Sequence, residues 1–297
     1  MQINGVEIED TFAEAFGMYG ARILITAKNE KWALISGTAM TGFATSVIAC
    51  GCEAGIENTV GVDETPDGRP GVNVLIFAMS EKGLEEQLIK RIGQCVLTSP
   101  TSACFNNLDA EKGILAGKKL KFFGDGFQSS KLLGTRRFWR VPVMEGEFLM
   151  EEFFGTQKSV GGGNFLILAR DVDRAVEASE KAVAAIGKVR KVIAPFPGGV
   201  VRSGSKVGSK YKFLKASTNQ FYCPTVRGIT KSELPADVNS VLEIVIDGLD
   251  EESVGKAMKV GIDEACKVDG VLKITAGNYG GKLGKYLFHL HKIFGGT

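Results

Sequence analysis

With 297 residues the chain is long enough for one large domain or two modest ones, each able to bury a core. A formal net charge of +2 argues against a polybasic nucleic-acid surface; no apolar run approaches the roughly 20 residues that span a bilayer, and Met1 to Asp10 lacks the charged-then-apolar pattern of a signal segment. Six scattered cysteines fit a reducing compartment, so a soluble cytoplasmic protein is expected, and 38 glycines imply many loops in conformations that other residues resist.

In chain order, an alternating start over Ile3 to Ile8 is followed by Thr11 and Glu14, spaced as a capping box, which predicts a helix from about Phe12. Arg22 to Ala27 reads as a strand, Trp32 to Met40 as a helix and Thr45 to Cys50 as a strand. The stretch Gly51 to Gly71 contains TPDGRPG and reads as a loop. Val72 to Met79 is a strand, and Leu84, Leu88, Ile92, Cys95 and Val96 mark one face of a helix. Lys119 to Phe123 and Phe138 to Val143 read as two more strands. Alternating strands and helices predict helices packed on a sheet.

The second half is more regular. Asn164 to Ala169 is a strand, Asp171 caps a helix lined by Val172, Ala175, Val176, Ser179, Val183 and Ile186, Gly187 stops it, and Val189 to Ala194 returns as a strand. The order recurs 79 positions on: Glu243 to Ile246, a cap at Asp250, a stripe of Val254, Ala257, Met258, Ile262, Ala265 and Cys266, then Val271 to Ala276. Two βαβ units in succession predict a ferredoxin-like split βαβ sheet, with parallel first strands as central neighbours. Asn164 and Glu243 share the 79-residue offset and should therefore lie close, on strands roughly 5 Å apart.

Between the units runs APFPGGVVRSGSKVGSKYKFLKASTN, Ala194 to Asn219, where glycines sit among Arg202, Lys206 and Lys210. Glycine lets backbone N–H groups approach a ligand and the cations favour an anion; a solvated basic hairpin is the plainer alternative. Gly199 to Lys206 nearly spells a phosphate-binding P-loop, but the lysine and hydroxyl are in the wrong order and no helical stripe follows. Glu243, in VLEIVI, is either on an exposed strand face or desolvated enough to titrate near neutrality. Asp247 beside Gly248 reads as turn chemistry. The glycine-rich runs GGGN, with Gly162, Gly163 and Asn164, and AGNYGG, Ala276 to Gly281, are ligand-facing backbone or tight strand entries. His289 and His291 alternate on a terminal strand and are too few for zinc; no cysteine has a histidine within local reach.

Eight motifs then carry a resemblance along nearly the whole chain: NGVEIEDTFAEAF (Asn4 to Phe16), TGFATSVI (Thr41 to Ile48), ETPDGRPG (Glu64 to Gly71), FFGDG (Phe122 to Gly126), APFPGG (Ala194 to Gly199), SGSKVGSK (Ser203 to Lys210), ASTN (Ala216 to Asn219) and AGNYGGKLG (Ala276 to Gly284). Together they closely resemble the formylmethanofuran:tetrahydromethanopterin formyltransferase family of archaeal one-carbon metabolism. That resemblance implies an α+β subunit of two lobes, each a ferredoxin-like split βαβ sheet with helices on one face. The lobes would be an N-terminal, proximal one over residues 1–144 and a C-terminal, distal one over 145–297, the latter with the glycine-rich basic loop inserted at 195–240. It implies a homotetramer, a dimer of dimers, with clefts near subunit contacts. It implies transfer of a formyl group from methanofuran to tetrahydromethanopterin as carrier substrates, with no metal and no tightly bound cofactor.

By the same resemblance Glu243, in E-I-V-I-x-G-L, takes an acid/base role. The tetrahedral adduct of formyl transfer then calls for oxyanion donors, expected from the backbone N–H groups of the Gly161 to Asn164 edge, Gly162 and Gly163 among them, or from the Asn164 amide. Gly198, Gly199, Ser203 and Ser205 would line a substrate site in which Arg202, Lys206 and Lys210 hold the carriers' anionic tails. The chain's near-neutral charge departs from strongly acidic relatives. Two alternatives are the transferase subunit of a formyltransferase/hydrolase complex and a non-catalytic pterin-binding protein.

Overall fold

A computed structural model describes residues 1–296. Its longest strand, β1 (Phe12–Thr26), runs through both halves of the molecule. In the first half it is followed by α1 (Glu30–Thr41), β2 (Glu53–Val60), β3 (Gly71–Ala78), α2 (Glu81–Arg91) and β4 (Ala103–Asn106). These strands pair antiparallel in the order β4–β1–β3–β2. The second half repeats the plan with β5 (Gln157–Ala169), α3 (Val172–Ile186), β6 (Val192–Ile193), β7 (Ser240–Gly248), α4 (Glu251–Ala265) and β8 (Val271–Thr275). Its order is β8–β5–β7–β6, again antiparallel throughout. The halves meet where Gln157 to Gly161 of β5 runs along Phe16 to Gly20 of β1, so one sheet spans both.

Helices cover one face of each half. Asp171 and Asp250 cap α3 and α4 as predicted, accepting from the Arg174 and Ser253 N–H groups at 2.9 and 2.8 Å. Each such cap contributes about 1 kcal/mol. Ala178, Ala182 and Ile186 of α3 and Val254, Ala257, Met258 and Ile262 of α4 bury against Phe165, Ile167, Ile244 and Ile246. The pleat therefore turns Asn164, Leu166 and Glu243 to the opposite face. The buried stripe of α3 is rotated from expectation: Val172 and Val176 are exposed, and Ala178 and Ala182 take their place.

Several expected elements differ. Phe12 opens a strand, not a helix, because its neighbours pair on both sides and the Glu14 carboxylate does not cap; it binds a distant loop. Thr45 to Cys50 holds a short helix, Val47–Cys50, capped by Ser46. The expected loop after Gly51 contains β2, whose buried Glu53 and Glu57 hid its strand pattern. Lys119 to Phe123 finishes a helix (Ala116–Leu120) and a 3₁₀ turn (Lys121–Gly124). The two central strands β5 and β7 are neighbours, as expected, but antiparallel: α3 carries the chain to β6, and β7 returns between β6 and β5.

Candidate active site

Glu243 sits mid-strand in β7 between the buried Leu242 and Ile244, itself half-buried. Its backbone exchanges hydrogen bonds with Val201, 2.9 and 2.8 Å, which stitches the basic segment to the sheet at this one residue. Among the described residues no donor reaches its carboxyl. Burial pushes that carboxyl up to about 7. A strand acid among aliphatic neighbours, with nothing to stabilise its charge, is thus poised to exchange protons near neutral pH.

Asn164 is where the offset placed it. Leu166 faces Glu243 and Asn164 faces Val245 across the ladder, so Asn164 and Glu243 are diagonal neighbours on one face, at a typical separation of about 7 Å. Its amide, however, is occupied. The Nδ2 donates to the Gly162 and Gly277 carbonyls at 3.1 and 3.2 Å, and Oδ1 accepts from the Gly277 N–H at 2.6 Å. A side-chain amide has two donor hydrogens, so none remains for an oxyanion in this arrangement.

The glycines of GGGN serve packing. A Cβ on Gly161 would lie 1.9 Å from Met18 Sδ, and one on Gly163 2.4 Å from a Val254 methyl. Gly162 has φ +90° at the register shift where β5 passes between halves, and its N–H donates to Asp247 Oδ1 at 2.9 Å. The expected oxyanion edge is a bulge whose Gly162 donor is already used.

Around the basic segment, Pro197–Gly199 is a 3₁₀ turn with Gly198 and Gly199 at φ 62° and 78°; Gly199 is buried against Val183 and its N–H bonds Phe196 O. Lys206–Val207 pairs with Ala216–Ser217 as a small hairpin. Arg202, Ser203, Ser205 and Lys210 are exposed, and Lys206 is half-buried with its ammonium over the Phe221 ring at 5.6 Å. Among the described residues Arg202, Lys206 and Lys210 form no ion pair.

Sequence reasoning missed Glu14. It is 1% exposed, and its carboxylate accepts the backbone N–H groups of Tyr279, Gly281, Leu283 and Gly284 at 2.7, 2.9, 2.5 and 2.5 Å. Burial alone would push this acid up; the four N–H groups outweigh it and hold the carboxyl below the usual range. The loop so held places Tyr279 where burial first, and then the charges of Glu243 and Glu14, raise the phenol's pKa. The only sequence signal was the glycine pattern of AGNYGGKLG.

Asp247 is a second correction. It is fully buried in β7, not in a turn, and its carboxyl meets that of Glu53 from β2. Burial and the neighbouring acid raise Asp247 well above its ordinary value, and burial raises Glu53. The histidines also part company: His289 ends a strand (Tyr286–His289), while His291 lies in the following helical turn with Nε2 2.8 Å from Ile8 O. Among the described residues no three His, Cys, Asp or Glu side chains group as metal ligands. Two cavities, of about 700 and 520 Å³, lie in other parts of the molecule and are lined by none of the candidate residues.

Comparison with known proteins covers the whole fold. The family described as "Formylmethanofuran-tetrahydromethanopterin formyltransferase" matches residues 1–143, and the one described as "FTR, proximal lobe" matches residues 146–293. The word proximal thus attaches to the second half. The chain is 59% identical to the formylmethanofuran–tetrahydromethanopterin formyltransferase of Methylococcus capsulatus, over 99% of each chain. It is 57% identical to that of Methanosarcina barkeri, over 99% of this chain and 100% of the other. Among solved structures, the Methanosarcina barkeri formyltransferase superposes with a TM-score of 0.94 at 56% identity, covering 99% of this chain and 100% of that one. A chain in the formyltransferase/hydrolase complex of Methylorubrum extorquens with methylofuran superposes with a TM-score of 0.97 at 47% identity, covering 100% and 99%. The likeness therefore does not sort the chain to one lineage.

Proposed function

This chain belongs to the formylmethanofuran–tetrahydromethanopterin formyltransferase family and is a formyltransferase, and from that premise we propose that Glu243 carries the reaction's proton. The formyl group leaves the amine nitrogen of methanofuran for a ring nitrogen of tetrahydromethanopterin. The acceptor nitrogen attacks the formyl carbon, a C–N bond forms, and the carbonyl π pair moves to oxygen. Glu243, as carboxylate, takes the proton this nitrogen sheds. The adduct then collapses: the oxygen pair re-forms the C=O bond, the old C–N bond breaks, and Glu243 returns the proton to the leaving nitrogen. One carboxyl titrating near 7 serves both steps, since it is neither too weak a base nor too weak an acid. The observation that carries this reading is the unpartnered carboxyl among aliphatic neighbours on the sheet face where the basic segment docks.

Arg202, Lys206 and Lys210, free of acids, anchor carrier anions at a distance from the reacting atoms, and Ser203 and Ser205 add hydroxyl donors beside them. Asn164 positions; it fixes Gly277 and thereby the loop next to Glu243. Residues 1–144 and 145–297 form two lobes of ferredoxin-like design, supported by the repeated strand order, and the chain assembles as a homotetramer, a dimer of dimers, whose neighbouring copy narrows the open face at Glu243. The activity requires no tightly bound cofactor and takes place in the cytoplasm.

A second reading, favoured by the TM-score of 0.97 to a chain of the formyltransferase/hydrolase complex, places the chain as a subunit of such an assembly. Purified chain given formylmethanofuran and tetrahydromethanopterin decides. Formyl transfer by a homotetramer without partners supports the first arrangement; activity only after a hydrolase partner is added supports the second. Carrier binding without transfer in both preparations would sink the catalytic reading.

A further inference from the structure

If the GGGN backbone and the Asn164 amide are already engaged, the oxygen of the tetrahedral adduct needs another donor. The loop Ala276 to Gly284 is the best-held backbone near Glu243. Gly277 is clamped in both directions by Asn164, and its carbonyl also accepts the Glu14 N–H at 3.2 Å. Asn278 Nδ2 donates to Thr11 Oγ1 and Phe12 O at 3.2 and 3.1 Å. The four N–H groups bound by the Glu14 carboxylate fix the remainder. Gly280 and Gly281, at φ +71° and +72°, allow the backbone to curl around that carboxylate, and a Cβ on Gly284 would lie 2.6 Å from Ala15 O.

In the centre of this frame stands Tyr279, half-buried, its ring tilted against Phe16 at 6.3 Å between centroids. Gly277, two residues back, is bonded to Asn164, the diagonal neighbour of Glu243, so this loop lies along the strand face that carries the acid. A phenol is ordinarily protonated at neutral pH, and here burial first, then the charges of Glu243 and Glu14, raise its pKa further. A neutral O–H on a loop held along the same face as Glu243 is the kind of donor an alkoxide-like oxygen requires.

We propose that Tyr279 is a further catalytic residue, donating a hydrogen bond to the formyl oxygen as it becomes anionic, and that Glu14 is the positioning residue that holds it there. No proton leaves the phenol in this step; it shortens its hydrogen bond as charge grows and relaxes when the C=O bond re-forms. The inference rests on Glu243 marking the reaction site, but not on that residue's own role in proton transfer.

The test uses the full-length chain in the two-carrier assay. Tyr279→Phe should lower kcat about 100-fold while KM values stay within about threefold and thermal melting is unchanged, the usual effect of losing one oxyanion donor. Site-specific 3-fluorotyrosine at 279, which keeps the O–H, should restore kcat to within about tenfold of wild type; a ring serving only to pack would be served equally by phenylalanine. Glu14→Gln should be slow in the same way, and the double variant no slower than the slower single. Where Glu14→Gln does not fold, Gly281→Ala, strained at its positive φ, tests the same non-additivity. A Phe variant retaining over half its kcat, a fluorotyrosine enzyme as slow as Phe, or losses that simply multiply would overturn the proposal. Glu243→Gln run alongside separates the two readings: full activity there with a slow Tyr279→Phe removes the proton carrier and leaves the phenol, and the converse result removes the phenol.

Discussion

The third strands of the two halves, β3 and β7, hold matching places in matching sheets, and they differ at one edge. β3 is covered along its length by β2, seven paired positions from Glu53–Phe77 to Val60–Gly71. β7 is covered by β6 at two positions only, and the next contact is the single bridge from Val201 to Glu243. Between them the chain turns through Pro195 and Pro197, which have no N–H to give a ladder. On each third strand a polar side chain that points away from the helices stands opposite a leucine of the first strand: Asn73 opposite Leu24, Glu243 opposite Leu166. Asn73 donates to Asn58 Oδ1 at 3.1 Å and accepts from Asn107 Nδ2 at 2.6 Å. Glu243 has aliphatic flanks and no donor. Where the edge is fully paired the polar group is absorbed into structure; where the strand is cut short and a basic glycine segment replaces it, the polar group is left free for chemistry.

The sharpest way to break this contrast is Glu243→Gln, which keeps shape and removes the proton site. Turnover should fall by roughly 10² to 10⁴. In the wild type, attack needs the carboxylate, so kcat/KM should rise as pH passes through about 7, and the variant should lose that inflection. Stability should move the other way. An acid whose folded pKa is raised from 4.5 to about 7 binds its proton more tightly when folded, so the wild type loses stability as pH rises between those values. The ceiling on that loss is about 3 kcal/mol. Calorimetry at pH 8 should therefore find the glutamine variant at least as stable as wild type; a variant that is both active and less stable would erase the distinction between the two strands.

Next in size is the segment that replaces the missing strand. Lys206→Ala or Lys210→Ala should raise the KM of one carrier about tenfold, the loss of a charge-assisted contact, with kcat changed less than threefold. Unchanged KM values in both variants and in Arg202→Ala would mean that the truncated edge serves shape alone.

The regular parts of this contrast were open to sequence reading, because α3, α4 and their Asp171 and Asp250 caps follow rules local to a few residues. Adjacency of Asn164 and Glu243 came from the same repeat. The repeat did not fix strand direction, which depends on how the chain returns from β6, nor did it show that the first half follows the same order. There β2 was hidden by Glu53 and Glu57, buried acids whose partners lie far along the chain: Asp247 for one, and Arg22 at 2.6 Å and the Lys191 N–H at 2.6 Å for the other. Glu14 was misread for a related reason. Its spacing from Thr11 imitates a helix cap, while its true partners stand some 265 to 270 residues away. Glycine-rich segments were recognisable, but whether a given N–H faces a ligand or a neighbouring carboxylate is decided by tertiary packing alone.

A smaller effect is expected where the halves join. Burial and the neighbouring Glu53 raise the Asp247 carboxyl well above its ordinary value, and burial raises that of Glu53, so rising pH works against the folded state. Asp247→Asn keeps an acceptor for the Gly162 N–H and removes one titrating group. Its stability should fall less steeply than that of wild type as pH rises above the ordinary carboxylate range, read by chemical denaturation across a pH series. A steeper fall would show that the pair is held by something other than a shared proton.

The smallest change belongs to the counterpart of Glu243 in the first half. Asn73→Ala removes an amide that satisfies Asn58 and Asn107, of which Asn58 is half-buried and Asn107 reaches solvent. Water can replace the second partner but only partly the first, so the cost should be about 1 kcal/mol in denaturant midpoint, with the slope unchanged. Turnover and both KM values should stay at wild-type levels, since the amide's work is done entirely within the sheet. If instead Asn73→Ala slows transfer as Glu243→Gln does, the paired edge of the first half contributes to a reacting surface, and completeness of strand pairing no longer separates the structural polar residue from the chemical one.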